Sequence, residues 1–161
     1  MSRVKRKLFA AYGECMNVDH MISTCTEAYP FAWGVIEDHK LEFRSFVNLR
    51  KSKACQAPVV LWSVTQEDEE VLDSSEGMEL YRKDTIIVKL TDVNEQVAPY
   101  GVNHYNEGID AFVYKMKDEG ILPEQAPSLE HYQTILQGYR HNDIDPEPLA
   151  NAIIITDGKF K

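Results

Sequence analysis

Basic residues and cysteines are both scarce in this chain. Only 17 Lys and Arg stand against 26 Asp and Glu, a formal net charge of −9. Nucleic-acid affinity rests largely on Lys and Arg neutralising phosphates, so this balance argues against that class of partner. The one basic cluster, Arg3, Lys5, Arg6 and Lys7, is short and terminal. The three cysteines, Cys15, Cys25 and Cys55, are odd in number and show no CxxC spacing. That pattern speaks against a disulfide framework or a zinc site and fits a reducing cytoplasm. The five histidines, at 20, 39, 104, 131 and 141, include no HExxH and no close His/Cys cluster, so no metal is expected. No run approaches the ~20 apolar residues of a membrane span. The apolar stretch Leu8 to Tyr12 is too short for a signal-peptide core and meets Gly13 and Glu14. GxSxG, Walker and GxGxxG motifs are absent as well.

What is present suits one domain over residues 1–161, with 43% hydrophobic residues to build a core. Residues 6–11 are apolar and run into Gly13, which reads as a strand opening into a turn. Asn17 is placed to cap a short helix over Val18–Thr26. Phe31–Val35 and Lys40–Phe46 read as strands around a turn at Glu37-Asp38. The run "VVLWSV", Val59–Val64, suits a strand buried on both faces. Thr65 caps an acidic helix with Glu67, Asp68 and Glu69 in its first turn, where the dipole favours them. The acidic run 67–70 reads as a solvated helix start. Ile86–Leu90 and Ala111–Met116 read as strands. Ser128 caps a helix whose Leu129, Tyr132, Ile135, Leu136 and Tyr139 share one face, with His131 and His141 read as surface residues. A weaker apolar run, Ile153–Ile155, closes the chain. Residues 92–108 fit neither period and read as a long loop: a surface excursion, an extra hairpin or a lid.

One local feature raises a chemical question. In "VLDSSEGMELYRK", residues 71–83, Gly77 stops the acidic helix and Glu76 sits against that stop. A carboxylate there faces the negative pole of the helix. It either points into water or serves a purpose.

Four ordered segments resemble the γ-glutamylcyclotransferase-like (AIG2-like) family. "LFAAYGECMN" at 8–17 is similar to that family's strand and YGSN loop. "APVVLWSVTQEDEEVLDSSEGMELYRK" at 57–83 resembles its strand, short helix and D-x-x-E-G turn. "DAFVYKM" at 110–116 resembles a strand bearing a tyrosine, and "PSLEHYQTILQGYRHNDID" at 127–145 the terminal helix. The resemblance implies an α+β fold: a small mixed, mainly antiparallel β-barrel with surrounding helices. It also implies a lyase reaction on a γ-glutamyl amide, in which the substrate's own amine attacks its γ-carbonyl to release 5-oxoproline and a free amine. By that resemblance Glu76 is the general acid/base. Burial beside Trp62 or Tyr81 would raise its pKa towards neutrality. Backbone amides of Tyr12, Gly13, Glu14, Cys15 and Met16 would cradle the γ-glutamyl group. The hydroxyls of Tyr81 and Tyr114 would orient it. Neither metal nor cofactor is implied, and the partner is a small molecule.

The family's serine and asparagine are Glu14 and Cys15 here. A Glu14 carboxylate aimed inward would repel the substrate's own carboxylate. Aimed elsewhere, it would be harmless or recruit a cationic leaving group. Two other readings stay open: a non-enzymatic binding module on the same fold, and a transferase using Cys15 as nucleophile.

Overall fold

In a computed structural model, residues 5–75, 80–96, 108–118 and 122–155 are described, Ile154 and Ile155 without their side chains. Five strands close into a barrel in the order β1-β3-β2-β4-β5. They are β1 (Arg6–Ala11), β2 (Tyr29–Arg44), β3 (Phe46–Thr65), β4 (Tyr81–Val93) and β5 (Ile109–Met116). Every pairing is antiparallel except the seam between β1 and β5, where Phe9 stands opposite Phe112. Their rings stack at 5.2 Å across that seam. The architecture is thus the mixed, mainly antiparallel barrel that the resemblance implied.

The run Val59–Val64 is buried throughout, as its unbroken apolar character demands. The strands differ from expectation where they leave the barrel. The two segments read around a turn at Glu37-Asp38 form one strand, β2, with a bulge at that point and Asp38 at φ 58°. Phe46, read as the end of the strand Lys40–Phe46, instead begins β3, and residues 47–58, read as no element, continue it. Between the pairs Glu37/Gln56 and His39/Lys51, β2 advances two residues and β3 five. Ala54 lies in this excursion, and its N–H donates to Asp38 Oδ1 at 3.0 Å. Most of 50–56 is exposed and polar, so no apolar alternation marks it as a strand.

The β2–β3 hairpin turns at Ser45 alone, held at φ 66°. Its tip is tied down by Gln125, whose carbonyl and Oε1 accept from the Ser45 N–H and Oγ. Beside it lies a buried carboxylate. Glu42 takes hydrogen bonds from Arg44 Nε at 2.7 Å, Asn48 Nδ2 at 2.8 Å and Arg50. Burial alone would raise this carboxyl, but those donors outweigh it and hold Glu42 below the usual carboxylate range.

Four helices surround the barrel: α1 (Val18–Thr24), α2 (Gln66–Ser75), α3 (Leu129–His141) and α4 (Glu147–Ile155). Asn17, Thr65 and Ser128 cap the first three, each side chain accepting from a backbone N–H three residues on. At α2 the cap is reciprocal, because Asp68 accepts from the Thr65 N–H in return. This corrects the reading of 67–70 as solvated. Asp68 and Glu69 are both buried, and Glu69 pairs with Lys83 at 2.6 Å and Lys7 at 3.1 Å. The closing apolar run is the end of α4. Of residues 92–108, Asp92 and Val93 belong to β4, while 97–107 lie outside the described residues. Among the described residues no helix is long and apolar enough to cross a membrane.

Candidate functional site

β1 ends at Ala11, and the chain turns immediately. Glu14–Met16 form one 3₁₀ turn that hands over to α1 at Asn17. Gly13 is required at this corner by space. A Cβ there would stand 2.6 Å from Val47 Cγ1. The Met16 and Asn17 N–H groups bond back to the Gly13 and Glu14 carbonyls. Among the described residues, no acceptor serves the Gly13 and Glu14 N–H groups.

α3 braces this corner from behind. Its Gly138 allows backbone to meet backbone at Met16 and Asn17. Asn17 Nδ2 donates to Thr134 O at 3.0 Å and Gln137 Oε1 at 3.1 Å. Asn142 Nδ2 donates to Met16 O at 2.8 Å, while its Oδ1 accepts from Trp33 Nε1 at 2.9 Å. The loop is thus held by fixed polar contacts on elements far away in sequence.

In front of the loop lies a cavity of about 370 Å³. Tyr12, Gly13, Glu14 and Cys15 form one wall, and Tyr81 and Tyr114 another. Ser75 and Leu80, which flank segment 76–79 on either side, also line it. Glu76 itself lies outside the described residues. Met16 is fully buried and does not line the cavity, and its N–H is engaged by Gly13. Of the five residues read as a cradle, 12–15 line the cavity and Met16 does not. Of Trp62 and Tyr81, the two residues expected to bury Glu76, Tyr81 lines the cavity and Trp62 is a core residue that does not.

The tyrosine hydroxyls donate to the protein itself. Tyr81 reaches Val47 O at 2.8 Å, and Tyr12 reaches the Tyr114 carbonyl. Tyr114 reaches Asp73 Oδ1 at 2.6 Å. Burial would raise the Asp73 carboxyl, but the Tyr114 hydroxyl and Lys83 hold it below its ordinary range. The donor hydrogens of these three hydroxyls are thus committed within the protein.

Glu14 lines the cavity and is held there by a residue that sequence reasoning set on the surface. His131 Nδ1 lies 2.6 Å from Glu14 Oε1. The Val47 N–H approaches His131 Nε2 at 3.3 Å, so Nε2 is the acceptor and Nδ1–H the donor. This hydrogen bond lowers the Glu14 carboxyl, outweighing burial. His131 is mostly buried and lines the cavity, as do His20 and Thr24 of α1 and Phe46 and Val47 of β3. His131 could have been found, since it stands four residues before buried Ile135 and seven before buried Gly138 on one helix face. Val47 carries no such local signal. Cys15 is buried in the same wall.

No family model and no curated protein matches this chain. Solved structures do. A γ-glutamyl cyclotransferase superposes with a TM-score of 0.75 at 17% identity, covering 92% of this chain and 86% of that one. The uncharacterized human protein loc79017 gives 0.72 at 18%, covering 91% and 86%. A yeast γ-glutamyl cyclotransferase specific to glutathione gives 0.58 at 12%, covering 97% of each chain. At these identities the likeness is one of fold. The chain has the γ-glutamylcyclotransferase-like fold.

Proposed function

We propose that this protein is a γ-glutamylcyclotransferase-like lyase. It would convert a γ-glutamyl amide into 5-oxoproline and a free amine. The observation that carries this reading is the convergence on one cavity of the Tyr12–Cys15 corner, with two N–H groups that find no acceptor among the described residues, and both flanks of segment 76–79. Such amides can receive a carboxylate or a developing oxyanion without a basic side chain.

In this mechanism the Glu76 carboxylate takes a proton from the substrate's α-ammonium. The freed amine attacks the γ-carbonyl carbon and closes a five-membered ring. The C–N bond to the amine half then breaks. The proton held by Glu76 and the second proton shed by the ring nitrogen both pass to the leaving amine, which departs as an ammonium. No water or external nucleophile enters. The ring closure needs the α-amine held close to the carbonyl, which is what a walled cavity contributes.

The test is release of 5-oxoproline from a panel of γ-glutamyl amides by the purified protein. Glu76→Gln should lower kcat by at least about a hundredfold, the usual scale for an acid/base. Undiminished turnover in that variant removes Glu76 from the mechanism. A second reading, a binding module without turnover, is favoured by one feature, the Glu14 carboxylate in the cavity wall. Thermal stabilisation by γ-glutamyl compounds with no product on long incubation would support it.

A further inference from the structure

We infer that Glu14 makes this cavity selective for γ-glutamyl amides whose amine half carries a second, positively charged nitrogen. The inference rests on the γ-glutamyl reading above and names the substrate class within it.

The argument begins with charge. Among the described residues lining the cavity, Glu14 is the one Asp or Glu, and neither Lys nor Arg lines it. Its Oε1 is occupied by His131, while its Oε2 takes no partner among the described residues. His131 uses its other ring nitrogen on the Val47 N–H, which fixes the imidazole as a hydrogen-bond donor to Glu14. The carboxylate is therefore fixed in position with one oxygen still able to accept.

A γ-glutamyl unit brings its own α-carboxylate into this space. An amine half ending in a further carboxylate, as in a γ-glutamyl amino acid, adds a second substrate anion beside Glu14. Repulsion in a partly enclosed site then opposes binding. An amine half with a distal ammonium places a cation where Glu14 Oε2 can receive it, by a charge-assisted hydrogen bond. A neutral alkyl amine half does neither. The expected order is ammonium first, alkyl second, carboxylate last. The γ-glutamyl unit's own α-ammonium could also approach Glu14, and that contact would be common to all three substrates.

Three γ-glutamyl amides of matched length test this: one of a 1,5-diaminopentane, one of pentylamine and one of 6-aminohexanoate. Two readouts are taken on the full chain: kcat/KM for 5-oxoproline release, and Kd by calorimetry. The wild type should favour the aminopentyl amide over the pentyl amide by about tenfold, and added salt should shrink that ratio. Glu14→Gln should bring the ratio close to one, and Glu14→Lys should favour the carboxylate-bearing amide. Equal use of the aminopentyl and pentyl amides by the wild type, or a ratio unchanged in Glu14→Gln, overturns the inference while leaving the cyclisation intact. A Glu14→Gln loss equal for all three amides assigns the carboxylate to the shared α-ammonium and also overturns it. If no amide yields 5-oxoproline, the lyase reading fails. The Kd ratios then decide the selectivity by the same criteria.

Discussion

Gly138 of α3 meets the Met16–Asn17 peptide backbone to backbone: a Cβ on Gly138 would stand 2.6 Å from Asn17 N and 2.8 Å from Met16 C. Neither neighbour is a flexible side-chain end, so an added methyl must push the helix or the loop aside. Gly138→Ala gains about 1 kcal/mol of helix propensity. Overpacking should cost more, about 1–3 kcal/mol, and here it is exerted against main chain. The expected result is a lower urea midpoint with an unchanged m-value. Weaker binding of γ-glutamyl compounds should accompany it, because the displaced loop is the cavity wall.

Tyr114→Phe isolates the link between the barrel and α2. The change leaves the ring in place and deletes the 2.6 Å bond to Asp73 Oδ1. A hydrogen bond to a charged group contributes about 1.5–3 kcal/mol. Asp73 keeps Lys83 at 2.9 Å and is partly exposed, so the lower end is expected. Asp73 stands three residues before Glu76 in the chain. In the lyase reading kcat should therefore fall more than KM rises, and equal binding with unchanged kcat would show the link to be structural alone.

Acid should destabilise the fold, with Glu42 as a separable contributor. Its carboxyl is held below its unfolded value, near 4.3. Such a group stabilises fully above that unfolded value, and its contribution disappears as pH falls through the lower, folded value. Glu14, Glu69 and Asp73 are shifted in the same direction. Stability should be flat above about pH 5.5 and decline below pH 4.3. Glu42→Gln leaves Arg44 without its buried anion and should cost about 3 kcal/mol at pH 7. The same variant should show a shallower decline in acid. Parallel acid limbs for the two proteins would clear Glu42 of that role.

Cysteine labelling distinguishes packing from nucleophilic chemistry. Burial, assisted by the Asp68 charge, pushes the Cys25 thiol up to about 12, and its Sγ lies 3.6 Å from Asp68 O. The thiolate is the reactive form, so Cys25 should stay unlabelled by an aromatic disulfide reagent at pH 8 until the protein unfolds. Half-buried Cys55 should react in the native state. Cys15→Ala should keep full 5-oxoproline release, because the cyclisation uses no thiol. Loss of turnover in that variant, with the fold intact, would favour the cysteine-nucleophile reading instead.

Much of the local structure could be read in the chain itself. The cap residues Asn17, Thr65 and Ser128, the buried run Val59–Val64 and the corner at Gly13 are short-range matters of backbone chemistry and periodicity. A neighbour within a few residues suffices to decide each. The outer part of β3 is not legible in the sequence, because a ribbon exposed on both faces has no reason to alternate. The burial of Asp68 and Glu69 is likewise not legible, because in a sequence a buried carboxylate looks like a solvated one until its partners are known. Those partners, Lys7 and Lys83 for Glu69, stand 62 and 14 residues away.

By itself, then, the sequence determined the caps, the central strand and the order of the segments that line the cavity. Tertiary structure alone decided that the Tyr81 hydroxyl faces Val47, that Met16 turns inward and that His131 takes hold of Glu14 across 117 residues. The reason is physical. Caps and periodicity are set by neighbours along the chain, whereas the partner of a cavity side chain is set by which distant backbones the closed barrel brings together.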